Sequence, residues 1–171
     1  NLAEAQIVKD LPFSIFDETA TGTLTSATLT KPTGWVGTLN LFITVNGAQD
    51  LVDNKQWDYV KLYGGTGTPL YFAEESETTI LVAPAPTSQE YTLRYIKRPT
   101  SLVDASTTPP ADGTTWISSN TPDLMFWATI INSESYRKND ERIATAKAMY
   151  DKALATTLTK PELEHLIRRV R

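Results

Sequence analysis

Setting aside short helical stretches at the start and at residues 53–63, the apolar residues of this chain change their period between its two larger parts. From Leu39 to Tyr95 they recur mainly at every second position, and from Thr121 onward at every third and fourth. Alternation puts apolar side chains on one face of a strand, whereas spacings of three and four line one side of a helix. The chain therefore reads as a strand-forming part followed by a helical part.

In the first part, Thr38 to Asn46 is the clearest strand: Leu39, Leu41, Ile43 and Val45 point one way, Asn40 and Thr44 the other. Asn46-Gly47 follows as a turn, because both residues tolerate positive φ. Residues 53–63 change period, with Trp57, Val60 and the Lys61 stem on one side, Asp53 or Asn54 as N-cap and Gly64-Gly65 as the stop. This predicts a short helix. Leu70–Ala73 and Thr78–Ala83 read as strands joined by the solvated acidic tip Glu74-Glu75-Ser76-Glu77. Tyr91, Leu93 and Tyr95 restart the alternation after Pro84 and Pro86. Residues 99–120, rich in Pro, Ser and Thr, read as a loop.

Two helical stretches flank this region. Leu2, Ala5, Ile7 and Val8 look like the last turns of a helix that Pro12 stops. Pro122 suits a first helical position and Asp123 the positive end of the helix dipole. Leu124, Trp127, Ala128 and Ile131 form a stripe that Phe126 and Ile130 widen, so this helix is expected to be buried on several sides. A second helix follows Asn139-Asp140-Glu141, with Ile143, Ala146, Tyr150, Ala153 and Leu154 facing inward. Thr159-Lys160-Pro161-Glu162 reads as a capping box opening a terminal helix with the stripe Leu163, Leu166, Ile167 and Val170. A helix of about 12 residues is marginal alone in water, so that stripe must dock on its own subunit or a neighbour.

The expected fold class is α+β: a helical bundle, made of a C-terminal helical hairpin, a terminal helix and the end of an N-terminal helix, with an inserted antiparallel β-region. The expected organisation is 1–12 as the end of the N-terminal helix, 13–98 as the β-rich insertion with its short helix, 99–120 as loop and 121–171 as C-terminal helices.

Composition narrows the function. At 171 residues, 40% hydrophobic and 21% charged, this is a folded domain with a real core. A net charge of -4 argues against tight general nucleic-acid binding, which needs clustered cations. The absence of cysteine excludes disulfides, thiol nucleophiles and most structural zinc sites. No apolar run reaches the roughly 18 residues of a membrane span, and no signal peptide is visible at the start.

Enzyme signatures are missing: there is no G-x-S-x-G, P-loop, H-E-x-x-H or dinucleotide fingerprint. Gly64-Gly65-Thr66-Gly67 lacks the Lys-Ser or Lys-Thr of a phosphate cradle and reads as a turn. His165, the only histidine, sits among Glu162, Glu164 and Arg169 as a surface residue. Asp17-Glu18 and the acidic tip lack the alternating oxygen ligands of a calcium loop. No catalytic residue, metal or cofactor is expected. Trp35, between Gly34 and Gly37, has a loop setting and is the candidate exposed aromatic contact; with Tyr63 and Tyr71 it also suggests a sugar-stacking platform. Arg168, Arg169 and Arg171 suit the negative end of a helix or an acidic partner.

Several short motifs occur in a fixed order: Ala3-Glu4-Ala5-Gln6-Ile7-Val8-Lys9-Asp10-Leu11, then Tyr91-Thr92-Leu93-Arg94-Tyr95, Arg98-Pro99, Trp116 and Pro122-Asp123-Leu124. This succession resembles the head-to-tail adaptor (connector) proteins of tailed phages, the tail-tubular-A-like family of short-tailed viruses. The resemblance covers most of the chain except residues 19–37, and places the first family helices before Asn1. It implies a non-enzymatic virion protein at the head–tail junction, assembled in the host cytoplasm. It further implies a ring of about twelve subunits with heterologous contacts, bound to the portal protein and to a tail tube or nozzle protein. Genomic DNA would cross the lumen without sequence-specific binding, and no membrane is involved. The implied partner interface, on the portal or a neighbouring subunit, is Leu163, Leu166, Ile167, Arg168, Arg169, Val170 and Arg171. The rival expectation is a tail-associated carbohydrate- or receptor-binding β-module.

Overall fold

Seven strands between Asp17 and Lys97 pair into one sheet, and the helices lie mostly outside that stretch of chain. The computed structural model describes residues 2–101, 115–137 and 140–159. It divides into two units, Asp17–Arg98 and Asn1–Phe16 with Pro99–Arg171.

The strands are β1 (Asp17–Leu24), β2 (Thr28–Thr30), β3 (Trp35–Val45), β4 (Ala48–Asn54), β5 (Tyr71–Glu74), β6 (Thr79–Ala83) and β7 (Gln89–Lys97), in the order β1-β7-β3-β4-β5-β6-β2. Asn46 (φ 51) and Gly47 (φ 82) make the expected two-residue turn between β3 and β4, with Val45 opposite Ala48. One buried cluster takes side chains from every strand, among them Leu24, Leu29, Ile43, Val52, Phe72, Val82 and Leu93. The sheet thus curls round its own core, and its two edges, β1 and β2, are consecutive in the chain.

This corrects the expected fold class. The protein is not a helical bundle with an antiparallel insertion: it is dominated by a mixed, nearly closed, barrel-like sheet, accompanied by five helices among the described residues. The mixed character comes from β4 and β5, which pair in parallel (Asp53 with Tyr71, Asn54 with Phe72). Parallel neighbours need a crossover of a dozen or more residues. Residues 55–70, containing the helix α2 (Trp57–Tyr63), supply it. Asp53 and Asn54 are spent on this pairing, so the N-cap of α2 is Gln56 and makes no side-chain cap bond.

Two register shifts in β3 alter its predicted alternation. Thr38 pairs with Tyr95 and Asn40 with Arg94, leaving Leu39 as the extra residue; Val36 is likewise extra between Trp35 and Gly37. A bulged residue leaves the pleat. Leu39 and Val36 are exposed, while Leu41 and Ile43 are fully buried. At the start of the sheet, Arg94 and Asp17 form an ion pair that ties β1 to β7.

The other unit contains α1 (Leu2–Asp10), a 3₁₀ turn (Phe13–Phe16), α3 (Trp116–Asn120), α4 (Pro122–Arg137) and α5 (Asp140–Leu158). Residues 116–120, expected as loop, are helical because the Thr115 hydroxyl accepts from the Ser118 amide and the Ser118 hydroxyl accepts from the Thr115 amide. Trp116 packs edge-on against Phe16 at 5.4 Å. Leu124 and Ala128 of α4 are fully buried, as the stripe predicts, but Phe126 is 57% exposed, so α4 is not buried on several sides. On α5, Ala146 and Tyr150 are buried.

The Tyr150 hydroxyl donates to Asp10 Oδ2 at 2.8 Å and links α5 to α1. Burial first, then the bond to Asp10, raises its pKa above the usual 10.0. The folded chain holds this proton more tightly than the unfolded one. The contribution to stability is therefore complete below about pH 10 and is lost as the pH rises beyond it. Tyr150→Phe is expected to cost about 1–2 kcal/mol at neutral pH. In urea titrations at successive pH values it should also remove part of the alkaline loss; an unchanged alkaline slope would refute the assignment.

Candidate interaction surface

Only one residue of α2 is a deep anchor. Val60 is buried against Ala73, Leu81 and Ala83, on the face of β5 and β6 opposite the internal cluster. The helix therefore lies on the outside of the sheet. Trp57, Tyr59, Leu62 and Tyr63 stay exposed, Leu62 at 86%.

Three tyrosines make a continuous aromatic patch there. Tyr59 and Tyr63, one turn apart, have ring centroids separated by 6.1 Å. Tyr71 of β5 meets both edge-on, at 5.3 Å and 4.8 Å. Hydrogen bonding to Tyr59 is the main cause that raises the Tyr71 hydroxyl pKa above its ordinary value. Lys55 lies 5.8 Å from the Tyr71 ring centre and Lys61 5.7 Å from that of Trp57. Tyrosine and tryptophan are among the side chains most enriched where proteins meet. The sequence expectation placed Trp57 on the inner side of the helix with Val60; it is 41% exposed and belongs to this outer surface.

Trp35 lies elsewhere. It packs against the internal cluster, whereas Tyr71 packs on the opposite face of the sheet. The Trp35 indole N–H donates to Thr38 Oγ1 at 3.2 Å, and the Lys31 ammonium sits 3.4 Å from its ring centre. The structure thus brings Tyr63 and Tyr71 together but joins them to Tyr59 instead of Trp35. Sequence reasoning passed over Tyr59 and Leu62. The four-residue spacing of Tyr59 and Tyr63 was the available signal, because it puts both on one helical face.

The acidic tip is solvated as expected, Glu74 included. Glu75, Ser76 and Glu77 are exposed, but the buried Lys31 Nζ donates to the Ser76 carbonyl at 2.8 Å and pairs with Glu74 at 3.5 Å. Leu163, Leu166, Ile167, Arg168, Arg169, Val170 and Arg171 lie outside the described residues, as does His165. Thr159 is described, and its hydroxyl donates to the Ala155 and Thr156 carbonyls at the end of α5; the rest of the proposed capping box is not. Among the described residues, no three acidic or histidine side chains converge as metal ligands. No described helix is long and apolar enough to cross a membrane. What the arrangement offers is a binding surface.

Against known families, the sequence matches the model described as SU10 adaptor protein over residues 1–169. No curated protein matches the chain.

Proposed function

The chain belongs to the SU10 adaptor protein family, and from that premise we propose that it forms a ring joining the portal to the tail. It is a structural phage adaptor, a virion component that contacts other virion proteins. In the proposed ring, subunits meet head to tail, and each buries two unlike surfaces. The lumen lets DNA pass, and the net charge of -4 keeps attractive contacts with phosphate few. The C-terminal stripe of Leu163, Leu166, Ile167 and Val170 docks on the portal or a neighbouring subunit, with Arg168, Arg169 and Arg171 pairing acidic groups there.

The observation that carries this reading is the aromatic surface of α2 and β5. Trp57, Tyr59, Leu62 and Tyr63 spend exposed apolar area on a helix with a single buried anchor. A free subunit gains nothing from that area, and an interface removes it from water.

The test is the native mass of the purified chain with and without portal protein. With portal present, a ring of about a dozen copies is expected; a persistent trimer, or no complex at all, would overturn the proposal. Leu62→Asp should leave the melting temperature of the free subunit unchanged. It should also weaken assembly by about tenfold or more, equivalent to ~1.4 kcal/mol. Portal binding that is unchanged after truncation behind Leu158 would remove the role of the C-terminal stripe.

A further inference from the structure

We propose that the open edge of β1 is a self-association site, where two copies of the chain pair antiparallel about a two-fold axis at Thr21. The proposal goes beyond the adaptor reading and does not depend on ring formation. β1 pairs with β7 along its whole length, from Asp17 opposite Ile96 to Leu24 opposite Gln89, without a register shift. It ends the sheet on that side, so alternate main-chain N–H and C=O groups on its other edge have no backbone partner among the described residues. Gly22 is exposed, and with no side chain, what it presents to water is main chain. Such an edge is a template for a further strand. The usual guards are missing: β1 holds no Pro, no Lys and no bulge, and its charges are confined to Asp17 and Glu18 at one end. The opposite edge strand, β2, has only three residues.

Only an extended backbone can satisfy those groups, and the sequence of β1 selects a second β1. Ala20 and Leu24 pack on the internal cluster, so Thr19, Thr21 and Thr23 face outward, and all three are exposed. Antiparallel pairing centred on Thr21 sets this residue against its own counterpart, and Thr19 against Thr23 on either side. The result is a ladder of threonine pairs, a favourable cross-strand combination. On the inner face Glu18 then meets Leu24, and Ala20 meets Gly22. The acids fix the direction. Arg94 and Lys97 of the same chain pair with Asp17 and Glu18, and antiparallel pairing carries the two Asp17 residues about 27 Å apart. That exceeds a Debye length at physiological salt. Parallel pairing would set like charges side by side. A two-fold contact closes after two copies, so it does not propagate into a head-to-tail ring.

The test is sedimentation equilibrium on the full chain carrying Leu62→Asp, so that the α2 surface does not contribute. From about 10 μM to 1 mM, the span of weak association, a reversible equilibrium between monomer and dimer is expected. Thr21→Lys and Thr21→Glu, each added to that chain, set like charges opposite each other at the axis and should weaken the dimer about fivefold. An equimolar mixture of the two sets Lys against Glu and should restore it as mixed dimers. Position 21 is exposed, so both variants should keep the melting temperature of the monomer. A chain that stays monomeric throughout that range overturns the proposal. So does a dimer indifferent to both charges, or a mixture no tighter than either variant alone. Hydrogen exchange needs no substitution in β1: amides of residues 18–24 should exchange more slowly at the top of the range than at the bottom. Equal rates would also overturn it. None of these readings needs portal or ring, so their failure leaves the ring untouched, and a failed ring leaves them standing.

Discussion

Leu124→Ala is expected to destabilise the chain by about 2–5 kcal/mol, the range for truncating a fully buried leucine. Leu124 has no exposed surface and lies in the first turn of α4, a helix on which α1, α3 and α5 pack. The truncation loses transfer free energy and leaves a cavity that three helices, each fixed by other contacts, cannot fully close. For a chain of this size the melting temperature should fall by roughly 5–15 °C, as read by circular dichroism. Phe126→Ala, two residues away, provides the contrast. Its ring is 57% exposed, so the change should stay within about 0.5 kcal/mol in the free subunit. Comparable losses for the two variants would mean that α4 is covered on a side the structure leaves open.

Lys31→Ala is expected to cost about 2–3 kcal/mol, a large effect for a lysine, because this one is interior. Its side chain is only 3% exposed and its ammonium joins three groups: the Trp35 ring, the Ser76 carbonyl and the Glu74 carboxylate. Its backbone amide also bonds to the Thr78 carbonyl, so this residue fastens the end of β2 to the β5–β6 hairpin. Removing the side chain uncovers the indole and leaves the Ser76 carbonyl to water. Glu74→Gln should cost well under 1 kcal/mol, since that carboxylate is half exposed and its 3.5 Å pair is screened. Urea unfolding of the two variants separates these contributions. An equal or larger loss from Glu74→Gln would show that the ion pair, and not the ring and carbonyl, holds Lys31.

Where a structural feature rests on neighbouring residues, it was legible. Asn46-Gly47 marked its turn by residue type, Gly64-Gly65 ended α2, and Leu124 with Ala128 marked the inner face of α4. The alternation of Leu93 and Tyr95 likewise named two residues of the internal cluster. The family was legible as well, because it is written in the order of short motifs, and order along a chain needs no coordinates.

What stayed hidden depends on partners distant in sequence. The bulges that expose Val36 and Leu39 arise from the register of β3 against β7, more than fifty residues away in the chain. Likewise, the parallel pairing of β4 with β5 follows only once α2 is seen to carry the chain across the sheet. The Tyr59–Tyr63–Tyr71 patch joins a helix to a strand, and half of it was visible as a four-residue spacing. Lys31 reads as an ordinary surface lysine until Trp35, Glu74 and Ser76 surround it. The sequence by itself determined which segments alternate, which coil and where each stops, since those preferences act over a few residues. Only the tertiary structure decided which strands became neighbours and which aromatic rings were left outside, because burial and register are settled between segments that meet only in the folded chain.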